Sequence, residues 1–125
     1  MGKNVLLVDD SQIVLNLHRY ILEEAGFRCS LAENGFVALE LLAQDHFDLV
    51  VTDINMPKMD GYELTRKIRQ MEGYEKVPII IISTEKEAQD KQKGMEAGAN
   101  VYIVKPAEPE DLIMNANMLL ANSGN

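Results

Sequence analysis

The chain is poor in the residues on which disulfide and metal-thiolate proteins depend. Its 125 residues include one cysteine, Cys29, and two histidines, His18 and His46. A single cysteine closes no intramolecular disulfide, and no Cys/His cluster has zinc-ligand spacing. Cys29 therefore reads as a small buried strand residue. Neither histidine has a partner at metal or catalytic spacing, so both are expected at the surface or the core boundary. Tryptophan is absent, and no apolar run approaches the ~20 residues of a membrane helix, so no membrane association is expected. The start MGKNVLLVDD meets two aspartates after a short apolar run, unlike a secretory signal, and a cytoplasmic location is expected. Positive charge is also short. Twelve Lys and Arg face twenty Asp and Glu, for a net charge of −8, which disfavours direct nucleic-acid binding because phosphate repels it.

What is present is one domain's worth of alternating patterns. Short apolar runs at 4–8, 27–32, 48–52, 77–82 and 101–104 read as strands rich in Val, Ile and Leu. Amphipathic stretches lie between them. In the first, Ile13, Leu17, Tyr20, Ile21 and Glu24 trace one face; Val37, Leu41 and Leu42 do so in the second. Leu64 and Ile68 mark the third, Met95 and Ala99 the fourth, and Leu112, Ile113, Ala116 and Leu120 the fifth. The seven methionines read as scattered core filler. Five βα units with apolar central strands predict an α/β fold, a doubly wound parallel sheet with helices on both faces. In such a sheet the ligand crevice lies beyond the carboxyl ends of the strands.

The residues just past those ends are chemically coherent. Asp9 and Asp10 close the first strand, Asp53 the third, Ser83-Thr84 the fourth and Lys105-Pro106 the fifth. Three carboxylates in one crevice repel one another, and a cation must offset them. Lys105 supplies one charge, and all-oxygen ligation suits Mg²⁺ for the rest. The other reading has Asp9 and Asp10 merely capping the first helix, with Ser11. A Mg²⁺ ion beside an ammonium is a clamp for a transferring phosphoryl group, and a carboxylate can accept that group. Asp53, between the first and fourth strand ends, is the natural nucleophile; Ser83 and Lys105 would hold the phosphoryl oxygens.

The stretches V8-D9-D10-S11, D48-L49-V50-V51-T52-D53-I54-N55-M56-P57-K58-M59-D60-G61, P78-I79-I80-I81-I82-S83 and G98-A99-N100-V101-Y102-I103-V104-K105-P106 occur in this order. Together they resemble the receiver domain of two-component response regulators, over residues 1–121, with 122–125 left as a short polar tail. As a free-standing domain the chain looks most like the chemotaxis (CheY-like) type. The resemblance implies a flavodoxin-like (βα)5 sheet of strand order 2-1-3-4-5. It also implies a switch in which a sensor histidine kinase, or a small acyl phosphate, phosphorylates Asp53. Asp10 and Asp53 would ligate Mg²⁺ by side chain, Asn55 by its carbonyl and Asp9 through water. Ser83 would turn toward the phosphoryl group with Tyr102 following it inward, Lys105 would pair with that group, and the Lys105-Pro106 bond would be cis. The change would reach an output protein through the face of the fourth helix, fifth strand and fifth helix. Catalysis would be limited to the chain's own phosphorylation and dephosphorylation, and it would be monomeric when unphosphorylated; dimerisation of the active form is left open.

Several positions depart from the family's usual residues. Thr84 stands where Ala or Gly is usual, and its branched side chain is expected to narrow access to Asp53. Ala107 replaces a frequent Phe. The stretch from Glu85 to Met95 is unusually charged. Asn55 and Glu85 occupy the positions that tune dephosphorylation. Two other readings share the pattern: a receiver fragment of a longer transcriptional regulator, and a Mg²⁺-dependent phosphohydrolase. The second wants a carboxylate two residues after the nucleophile, where this chain has Asn55, and a lid for which it has no space.

Overall fold

The computed structural model describes residues 2–123, and of residues 122 and 123 the backbone only. Strands β1 (Asn4–Val8), β2 (Arg28–Ala32), β3 (Leu49–Thr52), β4 (Ile79–Ser83) and β5 (Val101–Val104) alternate with five helices. These are α1 (Gln12–Glu24), α2 (Gly35–Gln44), α3 (Gly61–Arg69), α4 (Ala88–Ala97) and α5 (Pro109–Ser123). All strand pairs are parallel, in the order β2-β1-β3-β4-β5. Sheet type, strand order and strand positions match the expectation. Helix α5 runs two residues into the stretch read as a tail; Gly124 and Asn125 lie outside the described residues.

Alternation along each strand divides the core in two, because successive side chains point to opposite faces. Val5, Leu7, Val51, Ile80 and Ile82 face α1 and α5, meeting Leu15, Leu22, Leu112 and Ala116. Leu6, Val8, Val50, Ile79 and Ile81 face α2, α3 and α4, meeting Ala38, Leu42, Leu64 and Ile68. Burying each such Leu or Ile contributes about 1.5–3 kcal/mol. The helices start on polar caps. Ser11, Asn34 and Asp60 accept from the backbone N–H of Val14, Val37 and Glu63, at 3.3, 2.9 and 2.8 Å.

The buried face of α1 differs from the sequence expectation. Ile13, Leu17 and Tyr20 are 82%, 54% and 65% exposed, whereas Leu15, His18, Ile21 and Leu22 are buried. The helix carries two overlapping apolar stripes, and the sheet takes the one centred on Leu15, His18 and Leu22. His18 is thereby a core residue, not a surface one. His46 is exposed and pairs with Asp48 at 3.0 Å. Met95 is likewise exposed, because α4 turns the small residues Gly94 and Ala97 inward. Met114 and Met118 are also exposed; among the described residues Met56 and Met59 are buried in the core and Met71 packs against it half-buried. Cys29 lies on the edge strand β2 and is only half-buried; burial pushes its thiol up to about 12, so it stays protonated at neutral pH.

At the amino end of the sheet, Arg69 closes α3 with a clamp. Its guanidinium donates to the Gly98 carbonyl (2.7 and 3.0 Å), the Tyr74 carbonyl (3.2 Å) and the Asn100 side chain (3.0 Å). Asn100 in turn accepts from the Ile79 N–H at 2.9 Å. The ends of α3 and α4 and the starts of β4 and β5 are thus tied at one point.

Candidate functional site

The opposite edge gathers the polar residues. Strand β1 delivers Asp9 and Asp10, β3 delivers Asp53, β4 ends on Ser83, and Lys105 follows β5. One carboxylate oxygen from each of Asp9, Asp10 and Asp53 lies within 4.8 Å of the others. Asp9 and Asp53 are buried and Asp10 is exposed, so the cluster opens to solvent on one side. Lys105 bridges the two buried members, with Nζ 3.0 Å from Asp9 Oδ2 and 3.5 Å from Asp53 Oδ1. The other oxygen of Asp9 accepts from the Ser11 N–H at 2.9 Å. Ser11 is therefore the cap of α1, and Asp9 supports the turn leading to it while its far oxygen serves the cluster.

Asp53 is 7% exposed. Burial pushes its carboxyl above the usual carboxylate range; the Lys105 ammonium works against that, and Asp9 adds to it. The backbone beneath it is tightly built. Gly61 passes so close that a β-carbon there would lie 2.1 Å from the Asp53 carbonyl oxygen. Its N–H donates to the Ile54 carbonyl at 2.9 Å, which folds the loop back under β3. The Thr52 hydroxyl donates to the Asp53 carbonyl at 2.9 Å. These contacts fix the direction in which Asp53 leaves the strand.

The remaining expected residues line the rim. Ser83 is fully buried and its Oγ accepts from the Glu85 N–H at 3.1 Å. Asn55 donates to the Glu85 carboxylate at 3.1 Å, so the pair expected to tune dephosphorylation is in direct contact. Tyr102 is half-buried, packs against the α2–α4 core and donates to the Glu85 carbonyl at 2.7 Å. Thr84 is exposed beside the cluster, lining a groove of about 260 Å³ with Leu17, His18, Lys105 and Ala107. The Lys105-Pro106 bond is cis. Two neighbours were missed by sequence reasoning. His18 faces Lys105 from α1; burial holds its pKa below the ordinary value, and Lys105 adds to the effect. Tyr62, in the first turn of α3, reaches the Asp90 carbonyl of α4 at 3.2 Å. Single apolar-looking positions on a helix gave no signal for either.

Three carboxylates against one ammonium leave excess negative charge in an all-oxygen donor set, which a hard divalent cation matches. A polar cluster built from four strand ends is also where an open parallel sheet binds ligands.

Comparison with known proteins agrees with this arrangement. Residues 5–117 match the response regulator receiver domain. The alkaline phosphatase synthesis transcriptional regulatory protein PhoP of Bacillus subtilis is 33% identical over 98% of this chain and 50% of its own length. The chain spans about half the length of the curated relatives it matches. Among solved structures, the chemotaxis protein CheY4 of Vibrio cholerae superposes with a TM-score of 0.91 at 33% identity, over 95% of this chain and 99% of that one. The receiver domain of the Pseudomonas aeruginosa sensor histidine kinase PA1611, described with magnesium coordinated in its active-site cleft, gives 0.89 at 28% identity, over 97% and 99%. A match over nearly the whole chain, carried on the expected strand order, decides the family: the chain belongs to the response regulator receiver domains.

Proposed function

We propose that this receiver is a signalling switch that accepts a phosphoryl group on Asp53. The observation that carries the reading is the convergence of Asp9, Asp10 and Asp53 with Lys105 between them, beside the Ser83 hydroxyl. In the transfer, an Asp53 oxygen forms a bond to phosphorus as the bond from phosphorus to the donor breaks. The donor is the phosphohistidine of a sensor histidine kinase, whose imidazole leaves with the electron pair and takes up a proton, or a small acyl phosphate. Asp10 and Asp53 would hold Mg²⁺ by side chain, Asn55 by its carbonyl and Asp9 through water. The ion would supply charge neutralisation for the transferring group.

Burial pushes the Asp53 carboxyl up and the Lys105 ammonium works against that rise; in its ionised form the carboxylate is the group that attacks phosphorus. The product adds about −1.5 to −2 charges and three acceptor oxygens. Lys105 and Ser83 contact that group only once it exists, so the contact biases the strand ends that carry them. Tyr102, three residues before Lys105, passes the change to the α4-β5-α5 face, where an output protein reads it. The chain catalyses only its own modification. Its neighbour Asn55–Glu85 sets the lifetime of the signal by steering water toward the phosphoryl group.

The test is intact mass after incubation with acetyl phosphate, with and without Mg²⁺, alongside Asp53→Ala. A gain of one phosphoryl group that needs both Mg²⁺ and Asp53 is expected; no gain in a folded protein, with this donor and with a phosphorylated histidine kinase, sinks the reading. A second reading, the receiver part of a longer transcriptional regulator, draws support from relatives about twice as long. The full gene sequence separates motor-type from transcriptional output.

A further inference from the structure

Tyr102 is held by the loop before α4 and by α4 as well as by its own strand. Its hydroxyl donates to the Glu85 carbonyl at 2.7 Å, while the N–H of the same Glu85 donates to Ser83 Oγ at 3.1 Å. Tyr62 spans to α4 through the Asp90 carbonyl at 3.2 Å, with Lys93 Nζ 5.7 Å from its ring centre. Against the Tyr102 ring, α4 presents Gly94. A β-carbon on Gly94 would lie 3.1 Å from Tyr102 Cδ2 and 3.1 Å from Ile81 Cδ1. Glycine is a poor residue for the interior of a helix, and here its gap is filled by the aromatic ring.

We propose that Tyr62 is a positioning residue for the switch, forming with Gly94 a seat that holds Tyr102 inward before Asp53 is phosphorylated. A phenol turned into a protein needs partners for its oxygen and room for its ring. The Glu85 carbonyl takes the proton that Tyr102 donates, Gly94 leaves the space, and the Tyr62 hydroxyl, donating to the Asp90 carbonyl, holds the first turn of α4 so that Gly94 stays over the ring. Because the Glu85 backbone joins the two, its N–H on Ser83 and its carbonyl on Tyr102, the seated arrangement also fixes the hydroxyl destined for the phosphoryl group. Stabilising it beforehand raises the fraction of molecules in the accepting state. The inference rests on the phosphoacceptor reading of Asp53, but the seat itself can be observed in the resting protein.

The experiment labels the full chain with 3-fluorotyrosine. It has four tyrosines, so four ¹⁹F resonances are assigned by single Tyr→Phe variants. Without Mg²⁺, the Tyr102 signal of Tyr62→Phe is expected to move toward that of the exposed Tyr20, and Gly94→Ala is expected to move it as well. With acetyl phosphate and Mg²⁺, Tyr62→Phe is expected to phosphorylate about three- to tenfold more slowly, the factor carried by one net hydrogen bond. A Tyr102 signal unmoved in both variants overturns the seat. A signal that moves with no change in rate overturns the positioning role. If the signal moves and even the wild-type chain accepts no phosphoryl group, the seat stands and the phosphoacceptor reading falls.

Discussion

Replacing Asp53 with asparagine is expected to make the metal-free protein more stable. Asp53 has two carboxylate neighbours with oxygens within 4.8 Å; at an effective dielectric of about 20, each repels it by about 3.5 kcal/mol. Lys105 at 3.5 Å returns about 5 kcal/mol on the same scale. The balance is a net repulsion of about 2 kcal/mol, reduced by solvent around the exposed Asp10 and increased by the burial of Asp53. Asn keeps the shape and removes the charge, so a gain of about 1–3 kcal/mol follows, or roughly 4 °C in Tm for each kcal/mol in a domain of this size. Urea unfolding followed by circular dichroism, at pH 7 in EDTA, measures it.

The pH dependence has a definite sign. A carboxyl whose folded pKa lies above its unfolded value binds more protons in the folded state, so its contribution to stability falls as pH rises from the unfolded value through the folded one. The advantage of Asp53→Asn is therefore expected to vanish below about pH 4, near the ordinary Asp pKa, and to grow above it. Saturating Mg²⁺ is expected to close the gap, since an ion at 100 times its Kd stabilises by about 2.7 kcal/mol and the variant binds it more weakly. Asparagine that leaves stability unchanged or lowers it in EDTA at pH 7 refutes the electrostatic account of the site.

Three further outcomes follow from single residues. Thr84→Ala is expected to raise both acetyl phosphate labelling and dephosphorylation, by about two- to fivefold on the scale of one removed steric contact; equal rates, read by intact mass over time, remove Thr84 as an obstacle. Gly61→Ala puts a methyl against the Asp53 carbonyl and is expected to cost at least about 2 kcal/mol in urea unfolding. His18→Leu is expected to gain on the wild type as pH falls below about 6.5, by up to about 1.4 kcal/mol per pH unit, because a histidine whose folded pKa is lowered loses stability as pH drops through its unfolded value. Parallel melting curves from pH 7.5 to 5 show whether that gap opens.

Strand positions and the residues at the site are legible because β1, β3, β4 and β5 are short apolar runs rich in Val, Ile and Leu that stop on a residue of different polarity. Asp9, Asp53, Ser83 and Lys105 needed only the rule that parallel strands end on one rim. Helix faces were harder. Helix α1 has enough apolar residues to bury either of two stripes, and periodicity cannot say which one meets the sheet; Ile13, Leu17 and Tyr20 were read inward and lie outward. The inner face of α4 is made of Gly94 and Ala97, whose small side chains stand out less in the pattern than the larger but exposed Met95. Tyr62 was invisible for another reason. Its partner, the Asp90 carbonyl, is 28 residues away and comes near only through the packing of α3 on α4.

The Arg69 clamp gives α4 one firmly tied end and one lightly tied end. The last turn of α4 is pinned through Gly98 to α3, and through Asn100 to the start of β4. Its first turn is held more lightly, by the Tyr62 hydroxyl at the Asp90 carbonyl, and continues from the loop that carries Ser83 and Glu85. Displacement at that loop therefore swings α4 about Gly98 like a lever about a fulcrum, with travel growing from Ala97 toward Glu87. A small adjustment at Ser83 becomes its largest movement at the helix start, and amide exchange along α4 should rise in the same direction, slow beside the fulcrum and fast at the tip.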